Sequence, residues 1–326
     1  MDTAKAIRIT FSAFILLAIF ISVPSSSAMT GNTGTPEFAA KIGQGNLALL
    51  RFDAPQGVGE LTGKLRDMEM TFFKDPGKNS LIPPNPPLEK GVTFYSLISA
   101  PLEMEQGIHL VELETLENQA NETRTRLRFY PLVIEETEFE SENIRVPKRM
   151  VDYDKKTRRR IKQEKELVMN VTGKRSNEKL WQGAFLLPLD NAVTSGFGTK
   201  RTLNWKKPYR HGGLDIKAKK GNPIIASNSG RVALAKPLFL GGNAVIIDHG
   251  LGLFTAYYHL SKIKAVEGSF VEKGDVIGLS GKTGRATGPH LHWGVALDGK
   301  WLNPLSVLTV DDEGETAGKV TLTNNI

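Results

Sequence analysis

The chain contains no cysteine. That absence excludes disulfide stapling, thiol catalysis, cysteine-ligated zinc and lipidation at cysteine, so any metal must sit on His, Asp or Glu. The 32 glycines in 326 residues follow no triplet repeat, which excludes a collagen-like rod and leaves tight turns as their use. No internal repeat occurs, and no His-Glu-x-x-His puts two ligands on one helix. The glycines of Gly281–Gly288 lack a following Gly-Lys-Ser/Thr and a helical pattern, so they do not make a phosphate loop. Long apolar runs are scarce too. Ile9–Val23 is shorter than the about 20 residues a spanning helix needs, and no second run is long enough to span.

What is present is ordinary for a globular protein: 40% hydrophobic and 24% charged residues exclude wholesale disorder, and the length suits two domains. Lys5 and Arg8 precede the apolar run, and Pro24-Ser25-Ser26-Ser27-Ala28 follows it. A charged head, a greasy middle and small residues at Ser26 and Ala28 predict a secretory signal over residues 1–28, cleaved near Ala28. The mature chain is then expected in the cell envelope, periplasmic or secreted. Membrane contact is expected only if the signal is kept as an anchor.

Charge divides the rest. Residues 29–144 have a net charge of −8, residues 145–175 of +8 and residues 176–326 of +6. The acidic segment reads as short alternating strands at Gly45–Phe52, Met68–Lys74, Thr93–Ile98, His109–Leu116 and Thr123–Phe129. Turn signals at Asp53–Gly57 and Pro83–Pro87 separate them, and together they predict a β-sandwich-like domain over 29–144. The connector, residues 145–176, is dense in Lys, Arg and Glu and predicts one helix over Val146–Met169, with Ile161, Lys165 and Val168 on one face. Residues 177–310 are rich in glycine and predict a second all-β domain. Its strands are expected at Pro223–Ala226, Gly230–Ala235, Asn243–Asp248, Phe254–Tyr258, Val276–Leu279 and His290–Leu297. The fold class is all-β, closed by an acidic, flexible tail over 311–326. Opposite charges make docking of the acidic domain across the connector plausible, so that domain is expected to cover part of a groove and to be dispensable for chemistry.

Five of the six histidines lie between residues 211 and 292. In His211-Gly-Gly-Leu-Asp215 the two glycines argue for a turn or strand end rather than a helix, and let the backbone approach a site closely. In His290-Leu-His292 the period of a strand points both imidazoles to one face and Leu291 and Trp293 to the other. Together the two patterns can supply two His and one Asp to a metal, with one His left over, which is the layout of a catalytic zinc with an open position. His109 stands alone as filler or surface. His249 and Asp248 fall at a hairpin and read as structural.

The stretch Phe185–Leu308 resembles the lysostaphin-type zinc metallopeptidases, the M23 peptidases that cut peptidoglycan cross-bridges. The resemblance rests on Thr194-Ser-Gly-Phe-Gly198, His211-Gly-Gly-Leu-Asp215, Thr255-Ala-Tyr-Tyr-His-Leu260, Thr283-Gly-Arg-Ala-Thr-Gly-Pro-His-Leu-His-Trp293 and Asn303-Pro304-Leu305. A weaker likeness at Tyr95-Ser-Leu-Ile98 and Gln106-Gly-Ile-His-Leu110 is to the sandwich that precedes the peptidase in some exported members. The resemblance implies a lysostaphin-type β-sheet, barrel-like domain with one zinc ion per chain on His211, Asp215 and His292. It implies His290 and His259 as catalytic histidines that do not bind the metal, His290 as base and His259 at the oxyanion. Tyr209 and Tyr257 are candidate oxyanion donors. The implied substrates are peptidoglycan stem peptides or cross-bridges, with direct D-alanyl–diaminopimelate links favoured over oligoglycine. A rival from another class is a catalytically inactive M23-like binding module that activates another wall hydrolase, although such relatives lose His or Asp positions that this chain keeps. Nucleic-acid binding is not expected, given the export signal and the lack of basic residues interleaved with aromatics.

Overall fold

Leu47–Asp53 and Thr93–Ser99 are buried at nearly every position, without the alternation of a half-exposed strand. The computed structural model, which describes residues 40–54, 58–74, 93–119, 122–204, 208–311 and 319–322, gives the reason. The two strands pair antiparallel in the middle of a four-stranded sheet that is covered on both faces. Ala48, Leu50, Phe52, Phe94 and Ile98 point into one core, while Leu47, Leu49, Tyr95 and Leu97 point into another. Each such leucine or phenylalanine contributes roughly 1.5–3 kcal/mol on burial.

The first core is that of a sandwich. Its other wall is a five-stranded sheet in the order Ala40–Gly43, Glu122–Glu135, Gly107–Gln119, Val58–Leu65, Met68–Met70. Leu65, Val111, Leu113, Leu132 and Ile134 close it from that side. Sequence reading anticipates most of the strands it named, but the expected strand Met68–Lys74 breaks at Thr71 into Met68–Met70 of this sheet and Phe72–Lys74 at the edge of the four-stranded one, and Ala40–Gly43 and Val58–Leu65 are missed. Lys319–Leu322, expected within a flexible tail, runs parallel to Leu47–Asp53 and completes the four-stranded sheet. The expected signal (1–28), the proline cluster (83–87) and the acidic run 312–315 lie outside the described residues. Among the described residues no helix is long and apolar enough to cross a membrane.

The second core belongs to a large antiparallel sheet, in the order Val193–Ser195, Leu214–Lys217, His290–Leu297, Leu253–Leu260, Gly242–Asp248, Gly230–Leu238, Phe270–Val271. Lys300–Leu302 pairs with His290–Leu297 at its end. Leu214, Ile216, Leu291, Trp293, Val295 and Tyr257 point inward to Trp181, Phe185 and the four-stranded sheet. Phe73 of that sheet packs edge-on to Trp181, with ring centres 5.7 Å apart. The acidic segment and the glycine-rich segment therefore meet in one core against the four-stranded sheet, and the described residues form one compact unit.

The opposite face of the large sheet carries the connector helix, Lys155–Thr172. It starts nine residues later than the sequence suggests, because Pro147 opens a separate short turn and Asp154 makes the cap, accepting from the Thr157 amide at 2.7 Å. Leu167, Val168 and Val171 pack on Leu234, Leu238, Ile246 and Phe254. Glu164 fixes the helix's height on the sheet by accepting from the Phe239 amide at 2.7 Å.

Candidate metal centre

Alternation along three neighbouring strands builds the site. Asp215 and His292 are direct cross-strand partners, and Tyr258 opposes His292 from the other side. Residues one step away, Leu214, Leu291, Trp293 and Tyr257, fill the inner core, so the polar set must face outward. Gly213 permits the close pairing: a Cβ there would lie 2.5 Å from the Trp293 carbonyl and 2.8 Å from the His292 ring. His211 enters from the loop before Leu214–Lys217, its amide bonded to the Thr199 carbonyl at 2.9 Å.

His211, Asp215 and His292 form the one cluster among the described residues able to hold a metal. His211 Nε2, Asp215 Oδ1 and His292 Nδ1 lie 3.2, 3.0 and 2.8 Å from one another. A tetrahedral zinc with Zn–N and Zn–O bonds of about 2.0–2.1 Å has ligand–ligand edges of roughly 3.3 Å, so the triangle is close to size. The tautomers agree with a cation at its centre. His211 Nδ1 donates to the Gly196 carbonyl at 2.7 Å, which leaves a bare Nε2 aimed at a carboxylate oxygen. A lone pair facing an anion needs a positive charge between them. Asp215 remains ionised: burial alone would raise its pKa, but the imidazoles of His211 and His292 set against its carboxylate hold it far below the ordinary carboxylate value. Burial pushes His292 towards the neutral form that a ligand requires.

The other carboxylate oxygen is held by Arg201, whose guanidinium donates to Asp215 Oδ2 at 2.6 Å and to Glu142 Oε1 at 2.7 Å. Glu142 also accepts from the Ser195 hydroxyl at 2.6 Å. This arrangement fixes the Asp215 carboxylate with one oxygen turned to the metal position. It is invisible in the sequence, because Arg201 and Glu142 meet through a parallel pairing of Lys200–Leu203 with Ser141–Ile144.

His259 and His290 stand beside the cluster with ring centres 4.7 Å apart. His290 Nδ1 donates to the Gly288 carbonyl at 2.9 Å, and its Nε2 lies 3.7 Å from Asp215 Oδ1. His259 breaks the alternation that would send it inward. It takes the left-handed conformation, with φ of 61°, a strain of order 1 kcal/mol held by its amide on Gly241 and its Nδ1 on the Thr283 carbonyl, each at 2.8 Å. Burial, aided by the neighbouring His292 and His290, lowers its pKa to about 3. Tyr209 and Tyr258 line the same cavity as the five groups, about 600 Å³ in volume, which extends to Ile161 and Val168 of the connector helix. Tyr257 does not reach it; its hydroxyl is bonded to Thr255 and Ser227 in the inner core. His249 lies in that inner network too, on the Ser229 carbonyl and the Thr255 hydroxyl, each at 2.8 Å.

Residues 209–304 match the family model Peptidase family M23. The chain carries an M23 domain. Over 121 residues it is 41% identical to the peptidoglycan DD-endopeptidase ShyA of Vibrio cholerae, a match covering 36% of this chain and 28% of that protein. Over 109 residues it is 42% identical to the DD-carboxypeptidase/endopeptidase Mpg of Neisseria meningitidis serogroup B, covering 33% and 25%. The match thus spans about a quarter of the length of these relatives. A crystal structure of a peptidase M23 protein from Pseudomonas aeruginosa superposes with a TM-score of 0.57 at 23% identity, covering 81% of this chain and 93% of that one. That likeness extends the shared fold beyond the M23 domain into the sandwich.

Proposed function

We propose that the chain is an exported zinc metalloendopeptidase that hydrolyses peptide cross-links of bacterial peptidoglycan. The observation that carries this reading is the convergence of His211 Nε2, Asp215 Oδ1 and His292 Nδ1 on one point, beside two further imidazoles that carry no ligand duty. The zinc, when bound, supplies Lewis acidity and lowers the pKa of its water to about 7. His290 takes the proton of the attacking water on Nε2 and returns it to the leaving amine. The Gly288 carbonyl supports this by occupying Nδ1 and leaving Nε2 bare. For His259 the hydrogen bond to Thr283 favours an acceptor that orients the attacking water, rather than the oxyanion donor expected from the resemblance. Donation from Nε2 would need a protonated ring, and burial opposes that. The relatives named peptidoglycan DD-endopeptidase and DD-carboxypeptidase/endopeptidase support peptidoglycan as substrate class. All five His and Asp positions are occupied, which speaks against an inactive binding module.

The test is digestion of purified sacculi by the zinc-loaded protein, with mass spectrometry of the products. Release of monomeric stem peptides, lost on chelation and slowed about 10²-fold or more in His290→Ala, is the expected result. Intact cross-links with zinc fully bound would contradict it.

A further inference from the structure

Two arginines line the cavity of the M23 domain, and they are used differently. Arg201 is buried and spent on Asp215 and Glu142. Arg285 has no acidic partner among the described residues. Its guanidinium lies over the Tyr209 ring, 5.6 Å from the ring centre, and Tyr209 is two residues from His211. A guanidinium lying over an aromatic face can keep the edge of its fork, the part that binds a carboxylate bidentately, free for a ligand, and both residues line the cavity.

The backbone under Arg285 is fixed from both sides. Thr283 accepts from His259, Gly288 accepts from His290, and the Arg285 amide donates to the Leu240 carbonyl at 2.9 Å. Ala286, the next residue, is buried. A cation with no acidic partner among the described residues is thus held on the short segment that runs into the proposed base. The base returns its proton to the leaving nitrogen, so the group facing this segment belongs to the residue on the leaving side.

An ordinary peptide offers only a neutral amide at the carbon that bears that nitrogen. A cross-link made through a side-chain amine, as at the second centre of diaminopimelate, leaves a free carboxylate there. Resting on the function proposed above, we infer that Arg285, stacked on Tyr209, binds this free carboxylate and selects cross-links that carry it. Arg285 is a specificity residue, and the subsite is a carboxylate pocket on the leaving-group side.

The experiment compares two cross-linked muropeptide dimers that differ only in this group, free carboxylate against carboxamide, with zinc-loaded protein. Wild type is expected to prefer the free acid by roughly 10- to 100-fold in kcat/KM, the range of a charge-assisted hydrogen-bonded pair. In Arg285→Gln the ratio falls to about one, chiefly through KM for the acid, and Arg285→Lys restores part of it because the charge returns without the fork. Tyr209→Leu lowers the ratio by freeing the guanidinium. Zinc content and thermal midpoint, measured on each variant, establish that the fold persists. A wild-type ratio retained in Arg285→Gln overturns the subsite alone. Failure of wild type to cut either dimer overturns the proposed substrate and the subsite with it.

Discussion

Arg201 stands between two carboxylates, and its removal separates electrostatic support from metal support. In Arg201→Met, Asp215 and Glu142 lose their shared counter-charge in a mostly buried place. Breaking a buried pair from one side costs about 3–5 kcal/mol, so the metal-free protein is expected to lose stability on that scale. Zinc replaces the missing positive charge at Asp215, and the loss is expected to be smaller in the loaded protein. Urea unfolding with and without chelator measures both, and an equal loss in the two states would refute the charge argument. His249 gives a pH prediction away from the metal. Burial lowers its pKa from 6.5 to about 4, so between these values the unfolded chain binds more protons than the native one. Stability from this group is whole above pH 6.5 and falls by about 1.4 kcal/mol per unit as pH drops through the window, levelling off below about 4. His249→Gln is expected to flatten that limb, and identical slopes in the two proteins would contradict it. The His211, Asp215 and His292 cluster was legible because His-x-His on a strand turns both rings to one face and the two glycines after His211 favour a turn into the strand that carries Asp215. Tyr258 was not, since one step of alternation separates it from Tyr257, and His259 reaches the site only by leaving the strand conformation.

At the scale of elements, the pairing of Leu214–Lys217 with His290–Leu297 sets the distance between Asp215 and His292. Gly213→Ala would drive a methyl group into the Trp293 carbonyl and the His292 ring. The expected cost is roughly 1–3 kcal/mol, as for other overpacked sites, together with weakened zinc binding because the two ligands are pushed apart. Calorimetric zinc titration checks it; wild-type affinity in the variant would show that the close approach is incidental. Strands in the large sheet were readable because alternation and tight reversals coincide there. The connector helix was readable as a helix but its start was placed too early, because the charged run was read as continuous from Val146 although Asp154, a strong cap, marks the true start. The parallel pairing that delivers Arg201 has no local signal at all.

For the whole molecule, the shared four-stranded sheet changes what the acidic segment is expected to do. Leu47, Leu49, Tyr95 and Leu97 lie in the same core as Trp181, Leu214 and Trp293. A chain beginning at Asn177 would uncover Trp181 and Phe185 and would lack the connector helix along the cavity. The earlier expectation of a dispensable cover gives way to a different outcome: this fragment is expected to aggregate or melt well below the full chain. A soluble fragment with the thermal midpoint of the full chain would show that the core is separable. Charge segregation in the sequence suggested docking between acidic and basic parts; the Glu142–Arg201 ion pair does cross between them, but the shared core is apolar, made by alternate residues of two strands whose other faces serve the sandwich. A strand buried on both sides reads simply as hydrophobic, so its two partners cannot be told apart from its composition.

On the proposed mechanism His211, Asp215 and His292 hold the metal, and His290 works beside it without binding it. Elemental analysis of the zinc-reconstituted wild type, His292→Ala and His290→Ala tests this most directly. One zinc per chain is expected in the wild type and in His290→Ala, and none retained in His292→Ala. Metal lost from His290→Ala but kept in His292→Ala, or a wild type that zinc does not load, would contradict it.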